Sequence, residues 1–292
     1  MLTELQIAIF SGLFAMLGWG LADFFTKKTV DKIDDFRTYF WTNITGVIPM
    51  LFYLIFNFQI PDLTFQTTLY ILIISVLPTF GILLYFRGLS KGKASVISPV
   101  YSTYAAFAVL ISFLIFNETI VGITWLGLGI VFLGTLLASF DYNEFRKIDF
   151  EMRDLTKGIK ETLLAALLIG IYFPIWDIFL TREGWMILLL LSYIFSFVIL
   201  MGISFFKKKK LKIKNNKLWK WLFLIGFLNT IAFFFVIGGF KRTTYTSIIS
   251  VISATSPVIT ITLARIFLKE KISLTQKLGI VLVLIGLVII SL

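Results

Sequence analysis

The chain has 292 residues, 58% of them apolar and 15% charged, against about 45–50% and about 25% in a soluble domain, and its formal charge is +11. Cysteine and histidine are both absent, which excludes a disulfide framework, a thiol nucleophile, a Cys/His zinc site and imidazole acid–base chemistry. The surplus apolar residues fall in blocks of roughly 20, about what a hydrocarbon core of about 30 Å requires, so the class is all-α integral membrane.

Ten spans are predicted. In order they are Leu5–Thr26, Arg37–Asn57, Thr67–Phe86, Ala94–Phe116, Ile120–Phe140, Ile159–Leu180, Trp185–Phe206, Leu218–Phe240, Thr246–Leu268 and Leu274–Leu292. Met1–Gln6 holds no Lys or Arg, so the first apolar stretch reads as a spanning helix and not a cleaved leader. Segments such as Ile120–Leu137 are apolar on every side, which suits helices in lipid and not alternating barrel strands. The longest loop, Asp141–Gly158, has 18 residues, too few for a hidden catalytic domain.

Charge sets the orientation. Of the 27 Lys and Arg residues, 24 lie in or beside the loops joining spans 1–2, 3–4, 5–6, 7–8 and 9–10, and only Arg182, Lys241 and Arg242 lie opposite. Under the positive-inside rule this puts those loops in the cytoplasm and both termini outside, in a cell-membrane protein. The basic loop over 207–217 is placed to meet anionic lipid. No nucleic-acid partner is expected, because the excess positive charge is spent on loops of this kind.

The chain repeats itself. A shift of 152 residues lays spans 4–5 on spans 9–10 with 11 identities in 47 positions, among them Thr103 on Thr255, Glu118 on Glu270, Gly127 on Gly279 and Gly134 on Gly286. A weaker match at a shift of 154 lays Asp23 on Asp177 and Trp19 on Phe173. Residues 1–140 thus form a first five-helix repeat, 141–158 a cytoplasmic linker and 159–292 a second repeat. Five is odd, so the second copy enters the membrane upside down, an arrangement common in secondary transporters.

Three local patterns accompany this layout. They are Gly18-Trp19-Gly20-Leu21-Ala22-Asp23-Phe24, then Ala94-Ser95-Val96-Ile97-Ser98-Pro99, then Phe116-Asn117-Glu118-Thr119-Ile120 with its echo Leu268-Lys269-Glu270-Lys271-Ile272. With length and the 5+5 plan, they make the chain resemble the drug/metabolite transporter superfamily, EamA-type. The resemblance implies a central pathway lined by spans 1, 3, 4, 6, 8 and 9, with spans 5 and 10 bracing the outside. The sequence departs from the pattern at span 9, where Val251 stands opposite Pro99 and the proline comes later, at Pro257, so spacing does not require spans 4 and 9 to bend alike.

Candidate residues follow from the cost of polar groups in lipid. Asp23 and Asp177 either face a cavity or sit in interfacial ion pairs, Lys27 being the i+4 partner open to Asp23. Glu118 and Glu270 either charge the start of the next helix or close the mouths of the pathway, Asp23 sharing the inner mouth with Glu270 and Asp177 the outer with Glu118. Ser98, Tyr101 and Tyr104 in span 4, and Ser253 and Ser256 in span 9, lie near prolines that free backbone carbonyls at mid-depth. Tyr85 and Asn229 are further lining candidates, and Trp19, Phe173 and Trp176 could wall a planar solute. Gly127, Gly134, Gly279 and Gly286 read as a packing seam, within the protomer or between protomers. Asp31, Asp34 and Asp35 form part of an acidic cluster that could hold Mg²⁺, but no second cluster faces them.

The expectation is a secondary transporter that moves a small organic metabolite by alternating access, as exporter or exchanger, with proton coupling possible and no cofactor, metal or catalytic residue. The alternatives are a membrane-embedded enzyme or a structural subunit without transport activity.

Overall fold

The computed structural model describes residues 3–116, 122–139, 157–180, 184–243 and 246–290, so Glu118 and most of the 141–158 linker lie outside the described residues, as does the side chain of Asp177. The described chain is helical. Its elements are α1 (Glu4–Ile33), α2 (Asp35–Phe56), α3 (Phe65–Lys91), α4 (Ala94–Tyr101), α5 (Tyr104–Phe116), α6 (Gly122–Ser139), α7 (Ile159–Leu180), α8 (Trp185–Phe206), α9 (Trp219–Phe240), α10 (Thr246–Ala254), α11 (Pro257–Phe267) and α12 (Leu274–Ile290). Among the described residues, seven helical stretches are long and apolar enough to cross a membrane, and three shorter apolar ones cover Gly122–Ala138, Ile252–Phe267 and Leu274–Ile290. Large apolar side chains such as Phe52, Leu126, Val198 and Ile285 are exposed on the outside of the bundle, as lipid-facing positions require.

Local chemistry explains the helix ends. Thr3 and Gln6 form a reciprocal capping box at the start of α1. This helix runs past its predicted end at Thr26 to Ile33, its polar last turns carrying the i,i+4 pair Lys27–Asp31 at 2.9 Å. A single residue then turns the chain. Asp34 caps α2 through the backbone N–H of Arg37 at 2.8 Å and pairs with its guanidinium at 2.7 Å. Asp35 pairs with Arg87 at 3.1 Å. Each of the three clustered aspartates therefore has its own cation, and the Mg²⁺ reading of Asp31, Asp34 and Asp35 is set aside.

The two halves interlock by exchange of equivalent helices. In the first half α1 packs on α9 and α10, and in the second α7 packs on α3 and α5. Glycines permit the approach: Cβ atoms at Gly12, Gly18 and Gly20 would lie 2.8, 2.9 and 2.5 Å from the Cβ atoms of Ile252, Ala232 and Ile259. The glycine seam closes within the protomer. Gly127 meets Ile290, Gly134 meets Val283 and Gly279, and Gly286 meets Val131 and Gly127. Partner numbers fall along α12 as they rise along α6, so these two equivalent helices are antiparallel.

Apolar burial drives helix association only weakly in lipid, so small residues and buried hydroxyls hold the bundle, at about 0.6–2 kcal/mol for each interhelical hydrogen bond. Thr45 donates to the Leu222 carbonyl and Thr230 to the Gly46 carbonyl, each at 2.9 Å, fastening α2 to α9 from both sides. Ser75 donates to Ser192 at 2.9 Å and Thr79 to Ser196 at 2.8 Å, joining α3 to α8.

Candidate functional site: a central cavity between the halves

A cavity of about 200 Å³ lies between the two halves. α1 supplies Trp19 and Asp23, and α3 supplies Tyr85. α4 supplies Tyr101, α5 supplies Tyr104 and Ser102 comes from between them, while α7 supplies Tyr172 and Phe173, and α9 supplies Asn229 and Thr230. Ser256 comes from between α10 and α11. Asp23 is the one charged side chain among the described lining residues. It is half-buried, its open side facing the cavity.

Asp23 accepts a hydrogen bond from Ser98 at 2.7 Å. The Ser98 oxygen also lies 3.4 Å from Thr260, whose hydroxyl donates to the Gly20 carbonyl at 3.2 Å. The Tyr85 hydroxyl lies beside the Asp23 carboxylate but makes no well-formed hydrogen bond within the described protein, and neither does Asn43 Oδ1. Lys27 turns away from Asp23 to Asp31 and to the Leu89 carbonyl at 2.8 Å. The i+4 ion pair open to Asp23 in the sequence is thus not made.

Aromatic rings run on from the carboxylate. Tyr85 stacks on Tyr101 with centroids 3.8 Å apart, Tyr101 tilts against Tyr104 at 5.5 Å, and Tyr104 stacks on Phe173 at 5.1 Å.

Two of the helices that border the cavity are broken, and at matching places. Between α4 and α5 the Thr103 hydroxyl donates to the Val100 carbonyl at 2.7 Å, and between α10 and α11 the Thr255 hydroxyl donates to the Ile252 carbonyl at 2.7 Å. A shift of 152 carries Thr103 to Thr255 and Val100 to Ile252. Spans 4 and 9 therefore break alike although their prolines lie on opposite sides of the break. Pro99 lies in the last turn of the helix before it and Pro257 starts the helix after it. In both, the threonine hydroxyl competes for a carbonyl three residues earlier, the local bonding that weakens helices.

At the basic end the halves are tied together. The Glu270 carboxylate accepts from the backbone N–H groups of Ala94 and Ser95, both at 2.9 Å, and from the Ser95 hydroxyl at 2.6 Å. It charges the N-terminus of α4, not of the helix that follows it, which Ser273 and Gln276 cap between themselves. Lys91 pairs with Glu161 nearby. Asp23 and Glu270 thus hold successive turns of α4, through Ser98 and Ser95.

The EamA-like transporter family model matches residues 6–140 and again 156–292. The chain belongs to the EamA-like transporter family. It is 33% identical over 137 residues to an uncharacterized protein of Methanocaldococcus jannaschii, a match covering 46% of this chain and 98% of that protein. That relative is thus about one repeat long. A protein of known crystal structure shares the fold, with a TM-score of 0.66 at 14% identity over 97% of this chain and 95% of that one.

Of the residues singled out in this EamA-like sequence, Trp19, Asp23, Tyr85, Tyr101, Tyr104, Phe173, Asn229 and Ser256 reach the cavity. Ser98 stands behind Asp23. Ser253 bonds to the Ser250 carbonyl at 3.2 Å, and Trp176 is fully buried against Tyr172. Residues 117–121, which include Glu118, and the side chain of Asp177 are outside the described residues. The sequence reading missed two helices altogether: α2 contributes Tyr39, Thr42 and Asn43, and α8 contributes Ser192, Tyr193 and Ser196. A signal existed, since Thr38, Thr42 and Thr45, like Ser192 and Ser196, recur at helical spacing within apolar spans.

Proposed function

We propose that this protein is a secondary transporter that moves a small organic metabolite across the cell membrane by alternating access, as exporter or exchanger. One observation carries the reading: a polar, aromatic cavity sits between two interlocked halves, bordered by two helices broken at equivalent threonines. Broken helices beside a mid-membrane cavity are where transporters hold substrate, and halves of opposite direction supply the two states. In this reading the chain crosses ten times, α4 with α5 and α10 with α11 each counting once. Both termini lie outside, and the 141–158 linker and the basic loop lie in the cytoplasm. Glu270 is the inner gate, holding α4 while the basic end is closed, and Glu118 is its outer counterpart. Asp177 is the outer counterpart of Asp23. Asp23 carries the coupling proton where transport is proton-driven.

Uptake by proteoliposomes tests this. The purified chain is reconstituted and screened against radiolabelled metabolites, with Asp23→Asn alongside. We expect saturable uptake by the wild type and a loss of at least about tenfold in the variant, the scale of one buried charged contact. Wild-type-level uptake in Asp23→Asn removes Asp23 from the pathway, and a screen with no solute moved removes the transport reading.

A further inference from the structure

We infer that the solute taken by the central cavity is a small organic monocation, an ammonium group carried on an aromatic or similarly flat body. The inference rests on the transporter reading and names its substrate class.

The first argument is charge. The described lining holds a carboxylate, Asp23, and neither lysine nor arginine. Among the described residues no cation lies within ion-pair distance of Asp23, since Lys27, Arg37, Arg87 and Lys91 are engaged with other acids at the basic end. A carboxylate or phosphate solute here would meet a like charge with no counter-charge on the described lining. A neutral solute would leave Asp23 with its hydroxyl neighbours only. A cation gives it an opposite charge.

The second argument is the acceptor pattern. An ammonium group has donors and no acceptor. Facing it is the Asp23 carboxylate, which one hydroxyl occupies in part, and on the same lining lies Asn43, whose Oδ1 is buried without a partner in the described protein.

The third argument is the rings. Tyr85, Tyr101, Tyr104 and Phe173 form a continuous run of touching rings, two of its three contacts stacked, that begins beside Asp23. Aromatic faces attract cations within about 6 Å of a ring centre, and flat bodies stack on them. A carboxylate at one end of such a wall suits a molecule with a charged head and a flat tail.

A charge series on one carbon skeleton tests this. Full-length protein in lipid nanodiscs is titrated with 2-phenylethylammonium, its N-trimethyl derivative, uncharged 2-phenylethanol and phenylacetate, with calorimetry as the readout. We expect both cations to bind at least about tenfold more tightly than the alcohol, and phenylacetate not to bind. In Asp23→Asn the preference for cation over alcohol is expected to vanish while the alcohol still binds measurably, so a misfolded variant, which would lose both, is recognised. Should that variant not fold, the wild-type order decides. Equal or tighter binding of the alcohol or the acid, or no cation binding up to millimolar concentration, overturns the inference. The cation order without movement across proteoliposomes sinks the transport reading and keeps this one. Uptake of neutral or anionic solutes without cation binding does the reverse.

Discussion

Two carboxylates hold neighbouring turns of α4, and they do different things. Asp23 opens onto the cavity through a half-buried face, whereas Glu270 spends its oxygens on the α4 backbone and Ser95. Three bonds to a charged acceptor, each worth about 1.5–3 kcal/mol, make Glu270 a strong tie between the halves. Because the chain has no cysteine, Val96→Cys, at a fully buried position of the basic end, reports on that tie. Adding Glu270→Ala is expected to raise its labelling by a soluble maleimide at least about tenfold, as loss of roughly 1.4 kcal/mol or more would allow. An unchanged rate would show that the end stays shut without the glutamate. Asp23 was legible in sequence because a carboxylate in an apolar span needs a reason. The partner of Glu270 was not, since it lies 175 and 176 residues away and only folding brings it near.

At the scale of the element, the glycines divide by what a side chain would strike. A Cβ at Gly279 would overlap the backbone of Ala138, which cannot move without parting α6 from α12. Nothing lies within 4 Å of a Cβ at Gly129, also in α6. Gly279→Val should therefore lower stability by about 1–3 kcal/mol or more, as overpacking does, while Gly129→Ala should raise it by up to about 1 kcal/mol through helix propensity. Thermal unfolding in detergent separates the two, and equal shifts would refute the seam. The four seam glycines were visible in the repeat, but their partners were not. The helix breaks show the opposite limit: the shifted prolines gave no reason to expect matching breaks, whereas the aligned threonines, which do lie at both, carried the signal.

At the scale of the whole molecule, the antiparallel run of α6 and α12 is what an odd count of spans in each repeat, as proposed, requires. The basic loop adds a detail of its own. Leu211 and Ile213 turn inward, with Trp41 donating to the Leu211 carbonyl at 2.9 Å, while Lys207–Lys210, Lys212 and Lys214 stay exposed. Anchored apolar residues alternating with exposed lysines hold the positive charge at one level, as the proposed contact with anionic lipid requires. Asn215→Cys in this loop, exposed and in a cysteine-free background, is expected to react with an impermeant thiol reagent only from the cytoplasmic face of cells or oriented vesicles. Labelling from outside would invert the proposed orientation.

What the sequence by itself determined was the membrane class, the doubled plan and the residues whose burial in lipid is costly, because hydropathy, charge bias and self-similarity are properties of the chain read in order. Tertiary structure alone decided which of those residues meet. It brought α2 and α8 to the cavity, turned Lys27 away from Asp23, and set Glu270 on the far helix α4. The physical reason is distance along the chain: in lipid, helices are sorted by close packing and hydrogen bonds between residues a hundred or more positions apart, and no local pattern records those pairings.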